Sequence, residues 1–344
     1  MASDHSPTSY AWLDASLTRT LSDIVLGCVL LGAAAAAIFG AGDVGNWSRL
    51  GPGYFPSGVG KLLAGAGLIL LVRGALVGTP PPPRWTLTAL AVGVAVIAAL
   101  NLAAWIWGSG LSALALLFGP AEFTMQMVLV LAVAAALARL SLARAVGMAL
   151  LGLLLATIGT DIATGTSRFT MGFEQLADGI MFPVLVLGLI VLADALLGLL
   201  SPSFLLATYA QRIAGWIGPR VPMLAATGIR LAAVLGIVAA GYYAFELNRA
   251  TWDVGVFVAF GLFGLLCKIF GWNRLVLILA FYYGPILEEQ IRRSLLISRG
   301  DPATFLWRPI SGTFLALAIA VLALAAIVSL WRWLRWRRLA GSQS

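Results

Sequence analysis

The chain has 344 residues, of which 61% are hydrophobic and only 10% charged. A soluble globular protein carries about 25% charged residues, and a disordered one has few apolar residues and a high net charge, so both classes are excluded. The net charge of +8 comes from basic residues that are all Arg except Lys61 and Lys268, and most of them flank apolar runs. That placement directs them to lipid headgroups rather than to nucleic acid.

Residues 1–20 are polar, with Asp4 and Asp14, and read as a cytoplasmic tail. A cleaved signal peptide fits less well, because the segment before the first apolar run is long and acidic. Ten candidate spans follow, at 22–41, 56–78, 86–107, 122–138, 143–159, 180–200, 222–246, 252–270, 273–288 and 310–331. Each is near the length a helix needs to cross a bilayer. The fold expected is therefore all-α, a polytopic integral membrane protein with about ten transmembrane helices. Between spans two and three, Thr79-Pro80-Pro81-Pro82-Pro83-Arg84 cannot be helical and forms a stiff polyproline connector. The stretch 203–217, apolar on one side through Phe204, Leu205, Tyr209, Ile213 and Trp216 with Arg212 on another, is too short and mixed to span and suits the interface plane. After the last span, the Trp and Arg residues of 331–338 form an aromatic belt with arginines reaching the headgroups, a better reading than a nucleic-acid surface.

Orientation follows from the cations of the short loops. With the N-terminus inside, Arg73, Arg84, Arg139, Arg144, Arg212, Arg220, Lys268 and Arg274 all fall at cytoplasmic ends, and the loop 108–121 on the other side carries none. The stretch 289–309 is the exception, and a re-entrant ninth span would move it inside at the cost of moving the Arg-rich tail outside. Counting leaves that choice even; the reading adopted here has ten spans and both termini in the cytoplasm of a bacterial inner membrane.

The inventory of reactive side chains argues against an enzyme. The single histidine, His5, lies in the polar tail, so no His-based triad or metal site can be assembled. Cys28 and Cys267 sit far apart within apolar segments, where packing as small hydrophobes is a better reading than a disulfide or redox pair. Chemistry would have to come from carboxylates alone, and no metal or organic cofactor is implied by the residues.

Four segments are unusual for lipid-spanning filler. The first is Gly51-Pro52-Gly53-Tyr54-Phe55-Pro56, a tight turn into a helix with proline in its first turn. The second is the polar run Gly159 to Gly172 followed by Leu176-Ala177-Asp178-Gly179-Ile180, preceded at a distance by Phe118-Gly119-Pro120-Ala121-Glu122-Phe123. The third is Gly284 to Leu295, containing Glu288, Glu289, Arg292 and Arg293. The fourth is Ser298-Arg299-Gly300-Asp301-Pro302 with Arg308-Pro309-Ile310-Ser311 before the last span. The first segment resembles the small membrane subunit of the tripartite tricarboxylate transporters, and the other three resemble the large membrane subunit, in its order and spacing.

The resemblance divides the chain into a cytoplasmic tail (1–20), a small-subunit-like membrane region (21–108), a large-subunit-like central region (109–200) and a large-subunit-like C-terminal region (201–340). It implies ion-driven carboxylate uptake, with Na+ or H+ as coupling ion. The partners implied are the lipid bilayer, an extracytoplasmic solute-binding protein and a complete large subunit. The family's two Leu-Pro-Gly-x-Gly-type segments are missing here. Broken, Gly-rich membrane segments are where transporters place substrate and coupling ions, so the chain is expected not to transport alone. The alternative is a reduced, transporter-derived scaffold or accessory subunit of another membrane complex.

The charged residues yield the candidate sites. Asp161, Arg168 and Asp178 either keep a loop in water or contact the substrate-delivering partner. Glu288–Arg292 and Glu289–Arg293 are spaced for i,i+4 pairs on one helix, a boundary cluster that serves as a structural cap or a gate. Asp194 and Arg230 lie at similar depth in consecutive spans and are a candidate intramembrane pair.

Overall fold

The computed structural model describes residues 8–42, 53–76, 119–138, 141–161, 164–200 and 221–341. The connector 79–84, the third expected span 86–107 and the interfacial stretch 203–217 lie outside them. The described residues form an all-α polytopic membrane protein: seven of their helices are long and apolar enough to cross a bilayer.

The chain divides into two compact units, one built from the described residues of Met1–Met171 and Leu275–Ser344, the other Gly172–Arg274. In the first unit, α1 (Thr8–Gly42) and α2 (Tyr54–Leu76) form a hairpin. Their backbones touch where side chains are smallest. A Cβ added to Gly27 would stand 2.9 Å from the Gly67 carbonyl oxygen, and one on Gly67 2.9 Å from that of Gly27. Helices in lipid gain little from hydrophobic exclusion, so close approach through small residues supplies the packing. Leu26, Leu30, Leu63 and Leu70 fill the seam and are fully buried.

Helix α3 (Pro120–Leu137) starts with proline at its first position, where the missing N–H costs nothing, and the Glu122 carboxylate accepts the Gly119 N–H at 2.8 Å. Helix α4 (Leu142–Leu155) is capped by Ser141 and is shorter than the expected span 143–159. Its 14 residues rise about 21 Å, less than a hydrocarbon core of about 30 Å. The chain leaves the helix there because Gly159 (φ +124°) turns it into a two-residue hairpin, β1 (Gly159–Thr160) against β2 (Ser167–Arg168), with Gly159 opposite Arg168.

The second unit opens with a short 3-10 turn at Glu174–Leu176 and continues as α5 (Phe182–Val186), a π-helical segment Leu187–Leu192 and α6 (Ala193–Leu200), followed by α7 (Val221–Asn248) and α8 (Thr251–Ile269). Val184, Leu192, Ala240, Ala244 and Phe257 make its core. Gly188, Gly261 and Gly264 let α8 lie against the π segment: a Cβ on Gly264 would come within 2.6 Å of the Leu189 carbonyl oxygen.

Helix α9 (Arg274–Ile297) departs from expectation. A span ending at 288 and then a loop were expected, but the helix runs unbroken through the charged run to Ile297. Glu and Arg are good helix formers, and the i,i+4 pairs Glu288–Arg292 and Glu289–Arg293 both form and carry it forward. The first unit ends with the short α10 (Thr304–Trp307) and the long α11 (Pro309–Gly341), which packs along α3.

Candidate functional site

The site is assembled from the hairpin that follows α4 and the polar end of α9. Helices α4 and α9 cross at small residues. A Cβ on Gly152 would lie 2.4 Å from the Leu277 carbonyl oxygen, and one on Gly284 would lie 2.4 Å from the Ala156 Cβ. That crossing sets the register. Glu288 and Arg292 follow Gly284 at i+4 and i+8, on the same face of α9, so they meet the chain as it emerges from α4.

There Arg168 grips Glu288 with two parallel hydrogen bonds, Nη1 to Oε1 at 2.6 Å and Nη2 to Oε2 at 3.2 Å. The planar guanidinium matches a carboxylate in this fork geometry, which makes such pairs strong and directional. Arg292 Nη1 reaches both oxygens of Asp161 at 3.1 Å, and its Nη2 donates to Glu288 Oε1 at 3.2 Å. The ring closes through Arg168 and Asp161, 3.8 Å apart. Thr164 Oγ1 donates to Asp161 Oδ2 at 2.7 Å, Asp161 N–H donates to the Thr166 carbonyl, and Gly165 takes the left-handed turn (φ +69°). Two carboxylates and two guanidiniums thus cancel, and three of the four side chains are under 10% exposed.

Burial alone would push the Asp161 carboxyl up. The hydrogen bonds from Thr164 and Arg292 and the charges of Arg292 and Arg168 outweigh it and hold the group below the usual carboxylate range. The hairpin is also tied to α1, since a Cβ on Gly40 would meet the Phe169 ring at 2.7 Å.

Asp161 and Arg168, expected in water or against a partner, are instead turned inward and held by α9. Asp178 is exposed, outside this cluster. Glu289 and Arg293 pair with each other on the exposed side of α9. Asp194 is engaged by Lys268 Nζ at 2.9 Å and Arg274 Nη1 at 2.8 Å; the side chain of Arg230, its expected partner, lies outside the described residues.

Several paired charges escaped sequence reasoning. Asp23, fully buried on α1, bonds to Arg144 of α4 and stands 3.5 Å from Arg73 of α2. Arg308 reaches Glu122 at 3.3 Å. In the sequence, Arg73 and Arg144 serve as markers of topology and Arg308 as part of the segment before the last span. The available signal was an acid near one span end and cations at span ends predicted to share its membrane face.

Two proteins of Agrobacterium vitis resemble the chain. The first, an uncharacterised 52.8 kDa protein in the TAR-I ttuC' 3' region, is 24% identical over 356 residues, covering 64% of this chain and 71% of that protein. The second, from the TAR-II ttuC' 3' region, is 32% identical over 94 residues, covering 27% of this chain and 39% of its own length. No solved structure matches. The segments Gly284–Leu295 and Ser298–Pro302 lie beyond the stretch that matches a family, which begins inside the region expected to be small-subunit-like and contains Asp161, Arg168, Asp178 and Asp194. Residues 85–208 match the family model described as the tripartite tricarboxylate transporter TctA family.

Proposed function

We propose that the protein is a membrane component of a tripartite tricarboxylate-type secondary transporter for carboxylate uptake, working with a complete large subunit and an extracytoplasmic solute-binding protein rather than alone. The TctA match over residues 85–208 carries the reading. It holds α4, the hairpin and α5, the elements that present the polar loop 159–179. In this reading the loop lies on the extracytoplasmic face, both termini are cytoplasmic, and Asp178 is the side chain exposed to the delivery protein.

The cluster at Glu288 supports dependence on a partner subunit. A carboxylate substrate of charge two or three needs unspent cations or backbone N–H donors shielded from lipid. Arg168 and Arg292 already face an equal number of buried carboxylates, so they act as a latch between hairpin and α9 and leave the substrate to other residues. The missing Leu-Pro-Gly-x-Gly segments favour a second reading, a transporter-derived scaffold of another membrane complex.

Uptake by liposomes containing only this protein tests the first reading. No accumulation of citrate or succinate under a Na+ or H+ gradient is expected, and accumulation overturns the partner requirement. Copurification in mild detergent separates the two readings. A solute-binding protein or a full-length large subunit is expected, whereas an unrelated membrane complex overturns the transport assignment.

A further inference from the structure

The second unit holds a charge cluster of a different kind at Asp194, Lys268 and Arg274. Lys268 Nζ and Arg274 Nη1 both bond to the same oxygen, Asp194 Oδ1. Two cations share one carboxylate, leaving one positive charge in excess. Asp194 is the one carboxylate within salt-bridge distance of either cation among the described residues.

The cations are held in place rather than merely tethered. The end of α8 closes in a Schellman turn: Gly271 is left-handed (φ +69°), its N–H donates to the Lys268 carbonyl, and the Trp272 N–H donates to the Cys267 carbonyl at 2.6 Å. Trp272 is buried and stacks on Phe270 at 5.3 Å. This turn carries the chain from Lys268 to Arg274 in six residues and brings both to Asp194. Arg274 Nη1 also donates to the Leu189 carbonyl at 2.6 Å, an acceptor inside the π-helical segment, where the regular ladder is interrupted. Among the described residues, Arg274 bonds through Nη1 alone, and Lys268 Nζ has Asp194 as its one partner.

The cluster is open. The side chains of Asp194, Lys268 and Arg274 are 42%, 26% and 17% exposed. On α8, Leu262, Leu266 and Ile269 form an exposed apolar stripe at i, i+4 and i+7 that runs to the level of Lys268. In a membrane helix such a stripe faces acyl chains. Lys268 lies at the same level on a neighbouring face of α8, i+4 from the packed Gly264, and surplus positive charge close to an apolar helix surface suits a molecule with an anionic head and apolar tails.

We propose that Lys268 and Arg274 form a binding site for the phosphate headgroup of an anionic phospholipid, with Asp194 as the internal carboxylate that holds the two cations together when the site is empty. The site belongs to the membrane helices and holds whichever partner the protein works with.

The test is native mass spectrometry of the full chain in neutral detergent with added dioleoyl phosphatidylglycerol, and with dioleoyl phosphatidylcholine as the neutral comparison. Phosphatidylglycerol is expected to occupy one tighter site. Lys268→Gln is expected to weaken it about fivefold, the effect of one basic residue at a membrane surface. Asp194→Asn removes the competing carboxylate and is expected to tighten it. That sign separates lipid binding from a purely structural cluster, in which Asp194→Asn only loosens the fold. Arg249→Gln, at an 81% exposed side chain on the same unit, is the control and leaves binding unchanged. Equal binding of the two lipids overturns the proposal, as does weaker binding in Asp194→Asn. Displacement of phosphatidylglycerol by millimolar inorganic phosphate or citrate, without detergent effects, assigns the cations to a soluble anion and overturns the lipid site.

Discussion

The clusters around Glu288 and around Asp194 are built from the same side-chain types and differ in balance and burial. At Glu288, two carboxylates meet two guanidiniums, and three of the four side chains are less than 10% exposed. At Asp194, one carboxylate meets two cations, and its own side chain is 42% exposed. A balanced, buried cluster has already exchanged water for protein partners and offers a ligand no net charge. An unbalanced, open one retains both charge and access. Counting charges and reading exposure together therefore separates a latch from a binding surface, where either observation alone is silent. Asp23 shows why both are needed: two arginines surround its one carboxylate, but the carboxylate is sealed between α1, α2 and α4.

The largest effect that separates the two clusters is expected at Glu288. It accepts from both Arg168 and Arg292, so Glu288→Ala leaves buried guanidiniums facing one carboxylate fewer. Breaking a buried pair from one side costs about 3–5 kcal/mol, read as a marked fall in the thermal midpoint in mild detergent. The double variant Arg168→Met, Glu288→Leu is expected to be more stable than Glu288→Ala, because it removes both charges. Additive losses would show that the four groups are not coupled.

The next effect comes from the crossing that places the latch. Gly152→Ala puts a methyl group 2.4 Å from the Leu277 carbonyl oxygen, backbone that cannot step aside. Overpacking of this kind costs about 1–3 kcal/mol. Because the clash shifts α9 against α4, Gly152→Ala is also expected to weaken the coupling between Arg168 and Glu288 in a double-mutant cycle. A cycle of unchanged size would place the origin of the latch elsewhere.

Asp194→Ala is expected to cost far less than Glu288→Ala, within about 1 kcal/mol, since exposed ion pairs contribute little net stability. A loss as large as that at Glu288 would mean the second cluster is a structural latch too, and the comparison would fail.

Much of this was readable in the chain and some was not, for reasons that lie in the residues. Apolar runs located α1, α2, α3, α8 and α11, because crossing a bilayer demands length and hydrophobicity that few other roles require. The pairs Glu288–Arg292 and Glu289–Arg293 were readable because helix geometry makes i,i+4 neighbours local. Arg168–Glu288 and Asp161–Arg292 were not, being separated by 120 and 131 positions and joined only by a helix crossing at Gly152 and Gly284. The charged run also misled. It looked like the end of a span, yet its own pairing is what keeps α9 helical to Ile297.

The smallest expected effect is on pH dependence, and it tests the latch from the side of protonation. Asp161 titrates below the ordinary carboxylate range, so the folded protein binds this proton more weakly than the unfolded chain does. Its contribution to stability is complete above the unfolded value of about 4 and is lost as the pH falls through the lower folded value. Between pH 5 and 8 the thermal midpoint is therefore expected to be insensitive to this group, with a decline only on stronger acidification. In Asp161→Asn the part of that acid decline owed to Asp161 disappears, while the flat region remains at a lower level because Arg292 has lost a charged partner. A stability that instead rose on acidification below pH 5 and lost that rise in Asp161→Asn would mean burial prevails over the two arginines, and the balance assigned to the latch would be wrong.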